Sequence, residues 1–216
     1  MKTYLQLVNN ILIRLREREV TSISETSYSR LIGVFVHDSI NMVENAWGWS
    51  SLRDTLTLNT TANIFNYALT GSGDRSVVLD VINDNSNECM QYKTADWFNQ
   101  TMLNSTPVKG SPSYYVYNGL NASGDTQVDI YPIPDDVYTL YFNVIKRSAS
   151  DLADADIIKV PFLPVQALAY AMALEERGED GGVSPVSAKA LAQNHLSDAI
   201  ALDANKHPEE LIWEAP

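Results

Sequence analysis

The sequence predicts an α+β fold, an α-helical bundle of about four helices with an antiparallel β domain inserted between them. Three observations carry this prediction. Apolar residues recur at helical spacing near both ends of the chain. From Ser51 the pattern changes to short alternating runs separated by Gly, Pro, Asn and Asp. Helical spacing then resumes after Pro161. The expected layout is a helical domain of residues 1–50 and 160–206, a β domain of residues 51–159, and a C-terminal tail of residues 207–216.

Thr3 is placed to cap a first helix, with Leu5, Val8, Leu12 and Leu15 on one face. That helix should fail near Glu19, before the run Val20–Ser24. A second helix is expected from Ser27 to about Trp47. Ile32, Val36, Ile40, Val43 and Trp47 form one stripe, and Leu31, Phe35, Met42 and Ala46 form another beside it. So wide a face fits a central helix touching two others, or one that also meets a neighbouring subunit. Gly48 is placed to end the helix in a left-handed turn. Trp47 and Trp49 read as anchors at the start of the β region.

Leu52–Asn59 and Ile64–Leu69 read as a hairpin, Val77–Ile82 as a strand and Cys89–Tyr92 as the next. Thr94 caps a short helical turn through Trp97 and Phe98. Three further strands are expected at Tyr114–Tyr117, Gln127–Tyr131 and Tyr138–Lys146. Alternation puts Tyr138, Leu140, Phe142 and Val144 on one face. Pro132 and Pro134 donate no ladder hydrogen bond and mark a sheet edge or strand exit. Pro164 suits the first turn of a returning helix that carries Val165, Leu168, Ala169 and Met172 and stops at Gly178. A last helix, ending near Asn205, carries Leu191, His195, Ala199 and Leu202 with Leu196 and Ile200.

At 216 residues the chain is long enough to bury a core without disulfides. Its one cysteine, Cys89, fits a reducing compartment. No apolar run reads as a signal peptide or membrane span, so synthesis and retention in cytosol are expected, and the sequons at Asn59, Asn99, Asn104 and Asn121 read as chance. A net charge of −12 argues against gripping nucleic acid through its phosphates. Arg14, Arg16 and Arg18 are spread around a solvated helix end.

Candidate chemistry is sparse. His37, His195 and His207 lack a second His or Cys at i+3 or i+4, so no zinc-type pair is present. Gly71-Ser72-Gly73-Asp74-Arg75 lacks the Lys-Ser/Thr end of a phosphate-binding loop and reads as a hairpin loop. The Asp151, Asp154, Asp156 group lacks the spacing and late Glu of a calcium loop and reads as a solvated acidic loop. No catalytic, metal or cofactor residue is assigned. Tyr114, Tyr115, Tyr117, Tyr131, Tyr138 and Tyr141 fit a half-buried pleated surface, and an exposed sugar-binding face is the other reading. Leu211, Ile212 and Trp213 form an apolar cluster in the acidic tail. They suit an anchor into a partner's groove, with docking onto the chain's own helices as the alternative.

The residues also resemble a known family, the head-to-tail adaptor (connector) proteins of short-tailed phages, of the tail tubular protein A-like kind. The resemblance rests on Leu5–Leu15 (L-x-L-V-N-x-I-L-x-R-L), the second helix ending at Trp47 and Trp49, and Gly110, Pro112 and Tyr115 (G-x-P-x-x-Y). It also rests on Ile130–Leu140 (I-Y-P-x-P-D-x-x-Y-T-L, with Tyr131, Pro132 and Pro134) and the return to two helices. It covers almost the whole chain in element order, although the polar segment 20–29 and the Trp-bearing tail have no match in the pattern. The resemblance implies a non-catalytic virion protein of the neck, made in the bacterial host cytoplasm. It implies a ring, a dodecamer, that joins the portal to the tail nozzle, tail tube or fibres. Genome DNA would pass through the bore without sequence-specific binding, and no membrane or cofactor is involved. Two rivals stand beside it: a carbohydrate- or receptor-binding β module, and a hydrolase with a dispersed site.

Overall fold

The computed structural model describes residues 1–104, 106–149, 151–178 and 184–206. In chain order the elements begin with β1 (Lys2–Thr3), α1 (Tyr4–Arg14), α2 (Ser27–Ala46), β2 (Arg53–Asn59), β3 (Asn66–Ala68) and β4 (Val77–Asn83). Next come β5 (Glu88–Cys89), β6 (Gln91–Tyr92), α3 (Ala95–Leu103), β7 (Tyr114–Leu120) and β8 (Thr126–Tyr131). The chain continues through β9 (Thr139–Ile145), β10 (Ile157–Ile158), α4 (Phe162–Arg177) and α5 (Pro185–Ala204). It divides into two compact units, a helical unit of residues 1–51 with those from 148 onward, and a β unit of residues 52–147. The expected boundary at 159/160 thus falls inside the helical unit, because β10 pairs with β1 (Lys2↔Ile158, Thr3↔Ile157).

In the helical unit, Thr3 caps α1 with a reciprocal capping box to Gln6. Thr26 caps α2 in the same way with Ser29. Asn9 ties the intervening chain to α1: its Nδ2 donates to the Val20 carbonyl (2.9 Å) and its Oδ1 accepts from Val20 N–H (3.0 Å). The expected first stripe of α2 is buried at Ile32, Val36, Ile40 and Val43. The second stripe is only half-buried at Leu31 and Phe35 and is exposed at Met42 and Ala46. Helix α2 packs on α1 and α4. Gly48 is not left-handed. The helix ends because Trp47 is already extended (φ −152°, ψ 158°). Gly178, by contrast, closes α4 at φ 62°, as its position predicts.

Helix α4 is the centre of this unit and packs on α1, α2 and α5. Its buried residues run nearly around the helix, from Pro164 and Val165 through Ala167, Ala169, Ala171 and Ala173 to Leu174. The alanines leave room for close approach by α5, which presents Ala188 and Ala192. The predicted face of α5 is therefore corrected: Leu191 and Leu202 are exposed, and the smaller side chains are buried.

The β unit has two four-stranded sheets, in the orders β2-β9-β4-β5 and β3-β8-β7-β6. Two sequence expectations fail here. The segment 52–69 is no hairpin: β2 pairs with β9 (Leu56↔Phe142), whereas β3 pairs with β8 (Tyr67↔Val128). Strands β8 and β9 belong to different sheets, with Pro132 and Pro134 at the exit from β8. The chain also changes sheet at Met90, which splits the expected Cys89–Tyr92 strand into β5, antiparallel to β4, and β6, parallel to β7. Strands β7 and β8 pair antiparallel, with Tyr114↔Tyr131 and Tyr115↔Ile130. The inner faces of the two sheets share one core that includes Val81, Tyr115, Val128, Ile130, Leu140, Phe142 and Val144. The alternation of β9 thus reads as predicted. Helix α3, longer than the expected turn, covers the second sheet with Phe98 against Val116 and Tyr131.

Candidate functional site

The two halves of the Tyr-Pro motif meet in one joint of the β unit. Gly110 N–H donates to the Ile133 carbonyl (2.9 Å), Ile133 N–H to the Val108 carbonyl (3.0 Å) and Ser113 N–H to the Tyr131 carbonyl (3.0 Å). Residues 108–113 therefore lie along 131–133. Asn83, fully buried on β4, holds the same stretch: its Nδ2 donates to Ser111 Oγ (3.0 Å) and to the Pro112 carbonyl (2.9 Å). Asn63 N–H reaches the Pro134 carbonyl (2.8 Å), and Tyr138 Oη donates to Asp135 Oδ1 (2.6 Å). The backbone of 108–113 is thus joined to 131–133.

The tyrosines pack. Tyr131 is buried, meets Trp97 edge-on at 5.7 Å, and accepts Val108 N–H on its hydroxyl (3.2 Å). Tyr114 lies 5.1 Å from Trp97, and Lys93 Nζ sits over both rings at 5.0 and 5.7 Å. Tyr115 lies in the inter-sheet core against Phe142. Burial, with Tyr117, Tyr92 and Asp80 nearby, pushes its hydroxyl up to about 12. Tyr114 and Tyr117 alternate to opposite faces of β7, and Tyr131 is covered, so these three rings form no common exposed platform. Pro134 is buried and Pro132 half-buried.

In the helical unit, Trp49 is the anchor of the tryptophan pair. It is 1% exposed and its Nε1 donates to the Val43 carbonyl (2.7 Å), whereas Trp47 is exposed. Next to Trp49, Ser50 donates its N–H (2.9 Å) and Oγ–H (2.6 Å) to the two oxygens of Asp203 at the end of α5. Lys206 Nζ reaches Asp203 Oδ1 at 3.0 Å. Burial alone would raise the Asp203 carboxyl. The hydrogen bonds from Ser50 and the Lys206 ammonium outweigh it and bring the carboxyl down to about 2. Sequence reasoning missed this Ser50–Asp203 tie, because partners so far apart in the chain leave no local signal. Asn9 had a signal, a polar residue on the flank of an apolar helical face.

This tie borders an open groove of about 670 Å³, lined mostly by apolar atoms of Trp49, Phe162, Leu163, Pro164, Ala199 and Leu202. Lys159, His195, Asp198 and Lys206 also line it. Leu163 and Leu202 are exposed there. Lys2 Nζ stands 4.7 Å from the Phe162 ring centroid. Leu211, Ile212 and Trp213, the candidate partner contacts, lie outside the described residues.

The polar clusters close turns. Gly71 and Gly73 N–H donate to Asp125 Oδ1 (2.9 and 3.2 Å), so the Gly-rich loop wraps an internal carboxylate. The Asp154 and Asp156 carbonyls accept from Leu5 and Tyr4 N–H, and Asp154 Oδ2 accepts from Ile23 N–H. The acidic loop therefore holds the start of α1. Among the described residues no group of three or more His, Cys, Asp or Glu is placed to hold a metal ion. No described helix is long and apolar enough to cross a membrane.

The architecture defines a class: an α+β protein whose signature residues join strands and whose buried polar groups tie loops to helices. The family model described as SU10 adaptor protein matches residues 2–209, and the chain belongs to that family. No curated protein matches it. Family membership agrees with the head-to-tail adaptor resemblance read from Leu5–Leu15 and Ile130–Leu140, and makes the chain a structural adaptor protein of a phage. Portal and tail partners and a place in the virion neck follow at that coarse level.

Proposed function

We propose that this chain forms the adaptor ring that joins the portal to the tail nozzle and surrounds the DNA exit channel. The observation that carries the reading is the family match over residues 2–209. In the ring, a dodecamer, the helical unit builds the wall against the portal and the β unit faces the tail. The protein acts by position and catalyses nothing.

Charge supports the reading. A net charge of −12 disfavours binding through DNA phosphates, and exposed carboxylates repel them within about the Debye length, about 8 Å at physiological salt. Exposed apolar side chains supply material for contacts between copies or with partners. They are Val186 and Leu191 on α5, and Leu79, Tyr92 and Leu120 on the β unit. A stable interface buries on the order of 800 Å² per partner, so several such residues should become covered on assembly.

The test is native mass spectrometry of the purified chain alone and mixed with portal. Ring assembly in the presence of portal is expected, whether or not the free chain is monomeric. A chain that stays monomeric and unbound with portal present contradicts the proposal.

A further inference from the structure

We infer that the groove beside Trp49 receives α2 of a second copy of this chain, which lays its exposed row Val34, Asp38 and Met42 against Phe162, Leu163 and Leu202. This contact presupposes the ring of the adaptor reading and specifies which two faces close it.

Symmetry sets the first condition. A ring of more than two copies needs a head-to-tail contact, so each copy must carry two different faces that fit one another. The helical unit has such a pair. One face is the groove, about 670 Å³ and mostly apolar, where Leu163 is 50% and Leu202 69% exposed. The other is the outer side of α2. At 100° per residue, Val34, Asp38 and Met42 form one row roughly opposite the buried stripe Ile32, Val36, Ile40 and Val43. Val34 and Met42 are more than half exposed, and the half-buried Leu31 and Phe35 border the row. Such apolar surface is costly to leave in water. No α2 residue lines the groove, so both faces can be used at once.

Length and charge fit as well. The row from Val34 to Met42 spans about 12 Å, and the α5 wall of the groove from His195 to Lys206 about 16 Å. The chain carries 27 acidic against 15 basic side chains, yet Lys159 and Lys206 line the groove, and Lys2 Nζ stands over its Phe162 ring. Of the two carboxylates that line it, Asp203 is already engaged by Ser50 and Lys206, which leaves Asp198. The α2 face brings the exposed Asp38, and no basic residue in the last turn of α2 offsets the negative pole of the helix. A negative row thus meets a basic rim. Pairing α2 with α2, or groove with groove, would set like charges against each other.

The test mixes two full-length chains, both with Cys89→Ser, one carrying Met42→Cys and the other Leu202→Cys, under mild oxidation at high concentration. Rates are read without portal and with it, and electron microscopy of the same samples shows whether rings form. The mixed disulfide should form about tenfold faster than either homodimer. Ile13→Cys in place of Leu202→Cys is the reference, since Ile13 is exposed on α1 and does not line the groove; its mixed disulfide should gain no such advantage. Asp38→Lys beside Met42→Cys should slow the mixed disulfide several-fold, and Lys159→Glu beside Leu202→Cys should restore it. Helical circular dichroism monitors the fold of each variant. Equal rates for mixed and homodimeric disulfides in both conditions, or an equal advantage for Ile13→Cys, would overturn the inference. So would Met42→Cys homodimers that form fastest, since these would put α2 against α2. Rings on the portal with equal rates would leave the adaptor proposal standing without this contact. A selective mixed disulfide beside bare portal particles would uphold the contact and remove the adaptor proposal.

Discussion

Replacing Asp203 with Asn should remove a charge-assisted tie that joins the end of α5 to the chain after α2. Asp203 is 4% exposed and receives the Ser50 N–H and Oγ–H at 2.9 and 2.6 Å. Two routes give the magnitude. Hydrogen bonds to an ionised group contribute about 1.5–3 kcal/mol each, and Asn retains one acceptor, so a loss of about 2 kcal/mol follows. The carboxyl is lowered from 3.8 to about 2, despite its burial, by Ser50 and Lys206. At 1.36 kcal/mol per unit this again gives about 2 kcal/mol. The sign follows from the direction of the shift. A depressed folded-state value stabilises the fold above the ordinary carboxyl range, and the contribution fades as pH falls through about 4 towards 2. Urea unfolding followed by helical circular dichroism is the assay. At pH 7 Asp203→Asn should lower the midpoint by about 1 M, taking a slope of about 2 kcal/mol per M. The gap should narrow steadily below pH 4. An unchanged midpoint at pH 7, or a gap of constant size down to acid, would refute the reasoning.

Other expectations follow from single contacts. Gly33→Ala in α2 should destabilise by about 1 kcal/mol rather than give the usual gain in helix propensity, because its Cβ would lie 2.8 Å from Ile23 Cγ2 and 3.3 Å from Tyr4 Oη. A thermal melt that rises would contradict this. Asn83→Leu should cost about 2–3 kcal/mol by stranding Ser111 Oγ and the Pro112 carbonyl, with hydrogen exchange rising first in residues 108–113. Protection unchanged there would argue against the joint. Tyr4 and Tyr115 are both raised to about 12, chiefly by burial, so they stabilise the fold below pH 10 and lose that contribution as pH climbs towards 12. Absorbance titration should show these two phenols lagging the rest. Ionisation of all eleven tyrosines together near pH 10 would contradict the burial described.

What was legible in the sequence was local. The caps at Thr3, Thr94 and Gly178, the buried stripe of α2 and the in-out alternation of β9 depend on neighbours a few residues apart. The pattern was misleading where distant partners decide. Strands 53–59 and 66–68 look like a hairpin because they alternate around a turn, yet each finds a better partner about 60 to 90 residues on, in a different sheet. In α5 the large residues Leu191 and Leu202 drew the expected face, while the tight fit to the alanines of α4 put Ala188 and Ala192 inside. The Tyr-Pro motif was visible as a signature, but its meaning as a joint between 108–113 and 131–133 needed the fold. The groove beside Trp49 is assembled from residues 49, 159–164 and 195–206, which no window of sequence brings together.

Electron microscopy of the purified chain incubated with portal tests the central claim most directly. The adaptor account predicts a closed ring of this chain seated coaxially on the portal, with an open bore. Portal particles that remain bare, with the chain still monomeric beside them, would contradict it.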